Sequence, residues 1–145
     1  MKQKFKISVL TFFILLFSNT IQANENFFTE GKKKYDQKKY DESKFLFQRN
    51  IIFNPKNAES YLFLAKIYNF EDNEKEEEKN LDTTLMLDPT NEEAVLMLMK
   101  ISLKKSNYLK VKKLSEKFSK ICKTLCKENN KILDSLKNIE PKDES

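Results

Sequence analysis

The chain contains no histidine and no tryptophan, one glycine, three prolines and two cysteines among its 145 residues. Without histidine it lacks the commonest general base and the commonest metal ligand. Two cysteines cannot build a structural four-cysteine zinc site. One glycine cannot form a glycine-rich phosphate loop. The shortage of glycine and proline argues against an all-β fold, whose many tight turns consume both. What is plentiful is charge, at 34% of residues, with twelve Phe and five Tyr. That balance suits amphipathic helices whose bulky aromatics fill a core.

The first residues read as an address. Lys2, Lys4 and Lys6 precede an uncharged run from Ile7 to Phe17, and Ile21-Gln22-Ala23 ends the segment on a small residue. This layout predicts a secretory signal peptide over 1–23, cleaved after Ala23. The alternative is an uncleaved anchor, for which the run falls short of the ~20 residues a spanning helix needs. No cysteine lies near the cut, so nothing suggests a lipid-attached N-terminus. Of 145 residues, 122 then remain, enough for a single domain. Their charge is 24 basic less 22 acidic, or +2, against +5 for the whole chain. Much of the basic excess therefore belongs to the address, and no nucleic-acid partner is expected.

The remainder repeats. Asn54-Pro55 and Asp88-Pro89 lie 34 residues apart, each closing an apolar stretch (IIF, then LML) and each followed by Asn57 or Asn91. A new helical pattern follows each, AESYLFLAKIY and then EEAVLMLMKIS. Proline cannot continue a helix and disfavours helical geometry before it, so both mark turns between antiparallel helices.

On these residues the chain resembles the tetratricopeptide-repeat (TPR) family. Tyr61 stands at the motif's aromatic opening, Leu64-Ala65 at its Leu-Gly pair and Tyr68 at its Tyr. Gly31, Lys39-Tyr40-Asp41-Glu42-Ser43, Phe47 and Pro55 match the rest of the motif one repeat earlier. The resemblance implies an all-α solenoid of about three helix-turn-helix repeats, at 24–57, 58–91 and 92–125. A capping helix at 126–139 and a disordered tail at 140–145 complete the expected layout. Departures are Glu30 and Lys34 in the first helix, Glu77 at a small-residue position, Met99 in place of Gly or Ala, and Lys123 in place of the third proline.

Helices are expected near 26–37, 40–54, 58–70, 74–87, 91–105 and 108–126, with an apolar stripe at Ile132, Leu133, Leu136 and Ile139 in a last helix over 130–139. Thr90 with Glu93 and Asn73 with Glu76 form capping-box patterns, and Asn57 and Asn107 are further N-cap candidates.

In the TPR family the first helix of each repeat lines a concave groove. Carried onto this chain, that implies a peptide-binding groove of Phe28, Lys32, Tyr35, Phe63, Lys66, Phe70, Met97 and Lys100. Within it Lys32, Lys66 and Lys100 recur at 34-residue spacing. The partner expected from such a lining is a peptide or protein, acidic or amphipathic. Some family members grip a C-terminal carboxylate there, but Phe28, Phe63, Glu93 and Met97 occupy most of those places here. That activity is not implied.

Two charge runs flank the expected groove: the acidic Glu71 to Glu78, and residues 100–127 with ten Lys against Glu116. Cys122 and Cys126 are a disulfide candidate, because export favours oxidation. In an unbroken helix, however, residues four apart hold their Cβ atoms ~5–6 Å apart, beyond disulfide reach, so pairing requires the helix to loosen between them.

The expected function is an exported scaffold or adaptor, periplasmic or secreted, in an envelope assembly or secretion complex. It needs no cofactor and no metal. The alternative is a peripheral envelope-binding protein that uses the Lys-rich C-terminal surface. A hydrolase is disfavoured because the carboxylates lie on exposed helical runs rather than in apolar surroundings. Protein isolated from its host should have the intact mass of a chain beginning at Asn24; a full-length mass in the membrane fraction would replace the exported protein with an anchored one.

Overall fold

The computed structural model describes residues 27–139, and these contain seven α-helices and no strand. They are α1 over 27–36, α2 Tyr40–Phe53, α3 Ala58–Phe70, α4 Glu74–Leu87, α5 Glu92–Lys104, α6 Tyr108–Ile121 and α7 Cys126–Ile139. The expected signal segment and C-terminal tail lie outside the described residues. The chain divides between Ser60 and Tyr61, in the first turn of α3, into two compact units.

Asparagine starts four of these helices. The side-chain oxygens of Asn57, Asn73, Asn91 and Asn107 accept from the backbone N–H three residues on, at 2.7, 3.3, 3.0 and 3.1 Å. Each satisfies one of the donors that a helix N-terminus leaves without a partner. The expected Thr90–Glu93 capping box does not form. Asn91 lies next to the first helical residue and takes the cap, while Thr90 donates its N–H and hydroxyl to Asp88 at 3.0 and 2.8 Å.

The ends of α1, α3 and α5 repeat just as closely. Lys38, Asp72 and Ser106, spaced by 34, all adopt a left-handed conformation with φ of 60°, 55° and 54°. The next N–H in each turn reaches back to Lys34, Tyr68 or Ser102 at 3.0, 2.9 and 2.8 Å. This closes the last helical carbonyls in the Schellman manner. Glycine is the usual occupant of such a position, yet none is used here. The one glycine is needed for packing.

That glycine, Gly31, faces Phe47 across the α1–α2 pair. A Cβ on it would stand 2.9 Å from the fully buried Phe47 ring. Ser43, at the motif's small position, donates its hydroxyl to the Gly31 carbonyl at 2.9 Å. One repeat later the equivalent pair is Ala65 and Leu81, both fully buried in a cluster with Leu62, Ala94, Leu98 and Ile101. One repeat further it is Met99, fully buried, and Ser115, also buried. Bulk passes from one helix of the pair to the other, Gly–Phe, Ala–Leu, then Met–Ser, so Met99 is a compensated departure from the motif. Within α3, Leu64 and Ile67 are buried and Tyr61 and Tyr68 half-buried.

The third repeat ends differently from the first two. Helix α6 stops at Ile121 rather than near 126, because Cys122 turns extended (φ −62°, ψ 138°), and α7 fills the whole capping segment Cys126–Ile139 rather than 130–139 alone. Lys123 occupies the place of Pro55 and Pro89. Proline has no N–H to give, whereas Lys123 donates its N–H to the Glu92 carboxylate at 2.8 Å, joined by Thr124 at 3.1 Å and Leu125 at 2.8 Å. These bonds, that from Leu125 foremost, hold the Glu92 carboxyl below its ordinary range. The same break brings Cys122 and Cys126 to a Cα separation of 5.3 Å, where they form a disulfide. The intrahelical distance that would forbid this pairing does not apply. Beyond it, α7 lays Ile132 and Leu136 on Val95, Leu96, Met99, Val111 and Phe118. Its other face, including Lys131, Asp134 and Lys137, is exposed. Ile139, expected on the apolar stripe, is also exposed.

The exchange of bulk is testable. Gly31→Ala should destabilise the chain by about 1–2 kcal/mol, since overpacking of ~1–3 kcal/mol outweighs a helix-propensity gain of ~1. In the Phe47→Leu background, which recreates the Ala65–Leu81 pair, the same change should cost much less. Urea melts of the four chains measure the coupling, and purely additive losses would refute the exchange.

Candidate functional site: the faces of the first helices

In the first unit, α1 carries Phe28, Lys32 and Tyr35. Phe28 is half-buried and packs against Phe47, with ring centroids 5.8 Å apart, so part of it belongs to the core. Four residues on, one helical turn, the exposed Lys32 sets its ammonium 5.8 Å from the centre of the Phe28 ring. Phe28 and Lys32 also border an open pocket with Thr29, Lys33, Asp36 and Gln37. Tyr35 does not border that pocket. It meets Tyr40 edge-on at 5.5 Å and serves the turn between α1 and α2.

In the second unit, α3 and α5 bring Phe63, Lys66 and Met97 to one face. Met97 packs against the Leu62–Ala65–Leu98 cluster between the two helices. The Lys66 ammonium lies 4.8 Å over the Phe63 ring, a cation–π distance. It also pairs with the Glu93 carboxylate at 2.7 Å, and the lysine side chain is only 19% exposed against 46% for the glutamate. Glu93 sits in the first turn of α5, where a carboxylate is favoured by the helix dipole. Phe70, the last residue of α3, is 66% exposed. Lys100 is exposed one turn beyond Met97.

Sequence alone treats Lys32, Lys66 and Lys100 as one equivalent row. Their surroundings differ. The residue 27 positions after each is Glu59, Glu93 and Lys127 in turn, so the partner that occupies Lys66 has no carboxylate counterpart at the third repeat. That offset was the legible signal for Glu93.

Glu77 is the second residue that gains a role from the structure. It replaces the expected small residue, and its buried carboxylate accepts from the Asn69 side-chain amide at 3.1 Å through both oxygens. Asn69 lies on α3 beside Phe70 and is exposed, so a buried acid fixes the amide of a residue on the candidate face. Burial pushes the Glu77 carboxyl up from its ordinary value. The Asn69 bond and Lys104 oppose this, while Glu74 and Glu78 add to it.

The two charge runs meet. Glu74 pairs with Lys104 at 3.3 Å and Lys105 at 3.1 Å, and Glu78 with Lys105 and Lys110, both at 2.7 Å. Three of the ten lysines in 100–127 are thus engaged by the acidic run. Among the described residues no group of His, Cys, Asp and Glu is arranged to hold a metal. No helix among them is long and apolar enough to cross a membrane.

Paired antiparallel helices, identical turns at 34-residue spacing and small-against-large packing define an all-α helical-repeat protein. Comparison with solved structures identifies the repeat. The chain superposes on the Yersinia enterocolitica type III secretion chaperone SycD in complex with a peptide of the translocator YopD (TM-score 0.74, 11% identity, covering 83% of this chain and 96% of that one). It is also similar to the TPR2B domain of yeast Sti1 in a complex with pHsp70 (0.72, 12%, 79% and 96%). A third similar structure is the first TPR of Spaghetti (RPAP3) bound to the HSP90 peptide SRMEEVD (0.67, 18%, 80% and 94%). No protein-family model and no curated protein matches the sequence. The fold is the all-α TPR solenoid.

Glu77 generates a pH prediction. Below the ordinary glutamate range its carboxyl is neutral both folded and unfolded, and burial costs nothing. As pH rises, the unfolded chain ionises first, so the raised folded value becomes a penalty at neutral pH. Glu77→Gln, which keeps an acceptor for Asn69, should raise the melting temperature at about pH 7 and lose that advantage near pH 4. An equal gain at both pH values would show that packing, not ionisation, sets the cost.

Proposed function

We propose that this chain is an exported, non-enzymatic TPR adaptor that holds an amphipathic peptide or partner segment on its α3–α5 face. The single observation that carries the proposal is Phe70. A large aromatic lies two-thirds exposed at the end of α3, in the same helix as Phe63 and Lys66, where an apolar partner side chain can bury it. The similar SycD, Sti1 and RPAP3 structures each hold a peptide or partner, which supports a binding role and an absence of catalysis. Exposed Lys100 is a cation for acidic residues of the partner. The layout of residues 1–23 supports export, and an envelope assembly or secretion complex is the setting proposed for the adaptor.

The alternative, a peripheral envelope protein that binds through the basic C-terminal surface, loses three lysines to Glu74 and Glu78. An array of random amphipathic peptides, probed with the full chain, decides between the two. Phe70→Ala should weaken the bound set about tenfold, roughly one hot-spot contact. Met86→Ala, a change at an even more exposed apolar residue on α4, should change it less than twofold. A greater loss from Lys113→Glu than from Phe70→Ala would move binding to the basic surface.

A further inference from the structure

The Lys66 ammonium is already matched. It has a carboxylate at 2.7 Å on one side and an aromatic face at 4.8 Å on another, with little of the side chain left to solvent. Glu93, more exposed, is the outer member of the pair. A carboxylate arriving from a partner would therefore meet Glu93 first. It would have to displace that side chain from Lys66 and be repelled by it meanwhile. An apolar or amide-bearing segment pays neither cost, because Phe63, Met97 and Phe70 provide its contacts while the ion pair stays intact. Burying a charge without its partner is unfavourable, so partial displacement gains nothing.

We infer that Glu93 is a specificity determinant. It acts as a tethered competitor for Lys66, so that the α3–α5 face admits amphipathic segments and rejects those that place a carboxylate at that lysine. This rests on the adaptor function proposed above and refines its partner. Acidic residues of a bound segment are steered to positions other than Lys66. The third repeat has Lys127 where the second has Glu93, and the neighbouring Glu128 pairs with Lys131 at 2.6 Å and acts on Lys100 only through the longer-range field. Rejection by a placed like charge is a common source of selectivity in protein recognition.

The test uses the same random-peptide array, with each carboxylate-bearing peptide matched by its Glu→Gln or Asp→Asn counterpart. The wild-type chain should prefer the amide members. In Glu93→Gln the preference should move toward the carboxylate members by about fivefold, the scale of one exposed ion pair. Adding Lys66→Gln to that variant should abolish the gain, because the freed ammonium is its source. A melting temperature close to wild type shows that the variants remain folded. An unchanged amide-to-carboxylate ratio in Glu93→Gln, or an equal rise for both classes, overturns the inference. If that happens while Phe70→Ala still weakens binding, the adaptor function stands and only the competitor fails. Binding indifferent to Phe70→Ala, or no bound peptide at all, overturns both.

Discussion

Paired helices can approach closely only where one of them yields space, and this chain meets that condition at a single pair of positions in each repeat. Gly31 yields to Phe47, Ala65 to Leu81, and at the third repeat the relation inverts so that Ser115 makes room for Met99. Close packing tolerates neither a void nor a clash at such a position, so the two residues are specified as a sum rather than singly. The turn geometry follows from the same demand. With its only glycine committed to the α1–α2 contact, the chain uses Lys38, Asp72 and Ser106 for its left-handed turns, at a conformational cost of order 1 kcal/mol each. Tertiary packing outweighs local preference here.

Much of this architecture was legible from residue spacing. Proline cannot sit inside a helix and asparagine caps one well, so Pro55, Pro89 and their following asparagines mark the helix boundaries in the sequence itself. The end of α6 was not legible. An apolar stripe through Leu125 continues the helical period, and nothing in the local pattern reveals that Glu92, more than thirty residues away, gathers the N–H groups of 123–125 and breaks the helix there. Long-range capping of this kind leaves no periodic trace.

The candidate face shows the same division. Three lysines in register suggested a uniform cationic row, because sequence reports which residues recur but not what stands against them. In the structure Lys66 is engaged by Glu93 and Phe63, and Lys32 lies by Phe28. Glu77 looked like an error in the motif and proves to be the anchor of Asn69. Repeat proteins keep their scaffold positions alike and vary the positions between them, so the informative residues are those at which the copies disagree.

The end of the third repeat can also be viewed as a joint that is sewn rather than folded. In the first two repeats the corresponding turn is set by a proline. Here the chain replaces a residue that cannot donate with one that can, joins its neighbours through sulfur, and returns the backbone to a carboxylate at the start of the same repeat. The turn after the third repeat is therefore held by a covalent bond, independently of anything the α3–α5 face holds.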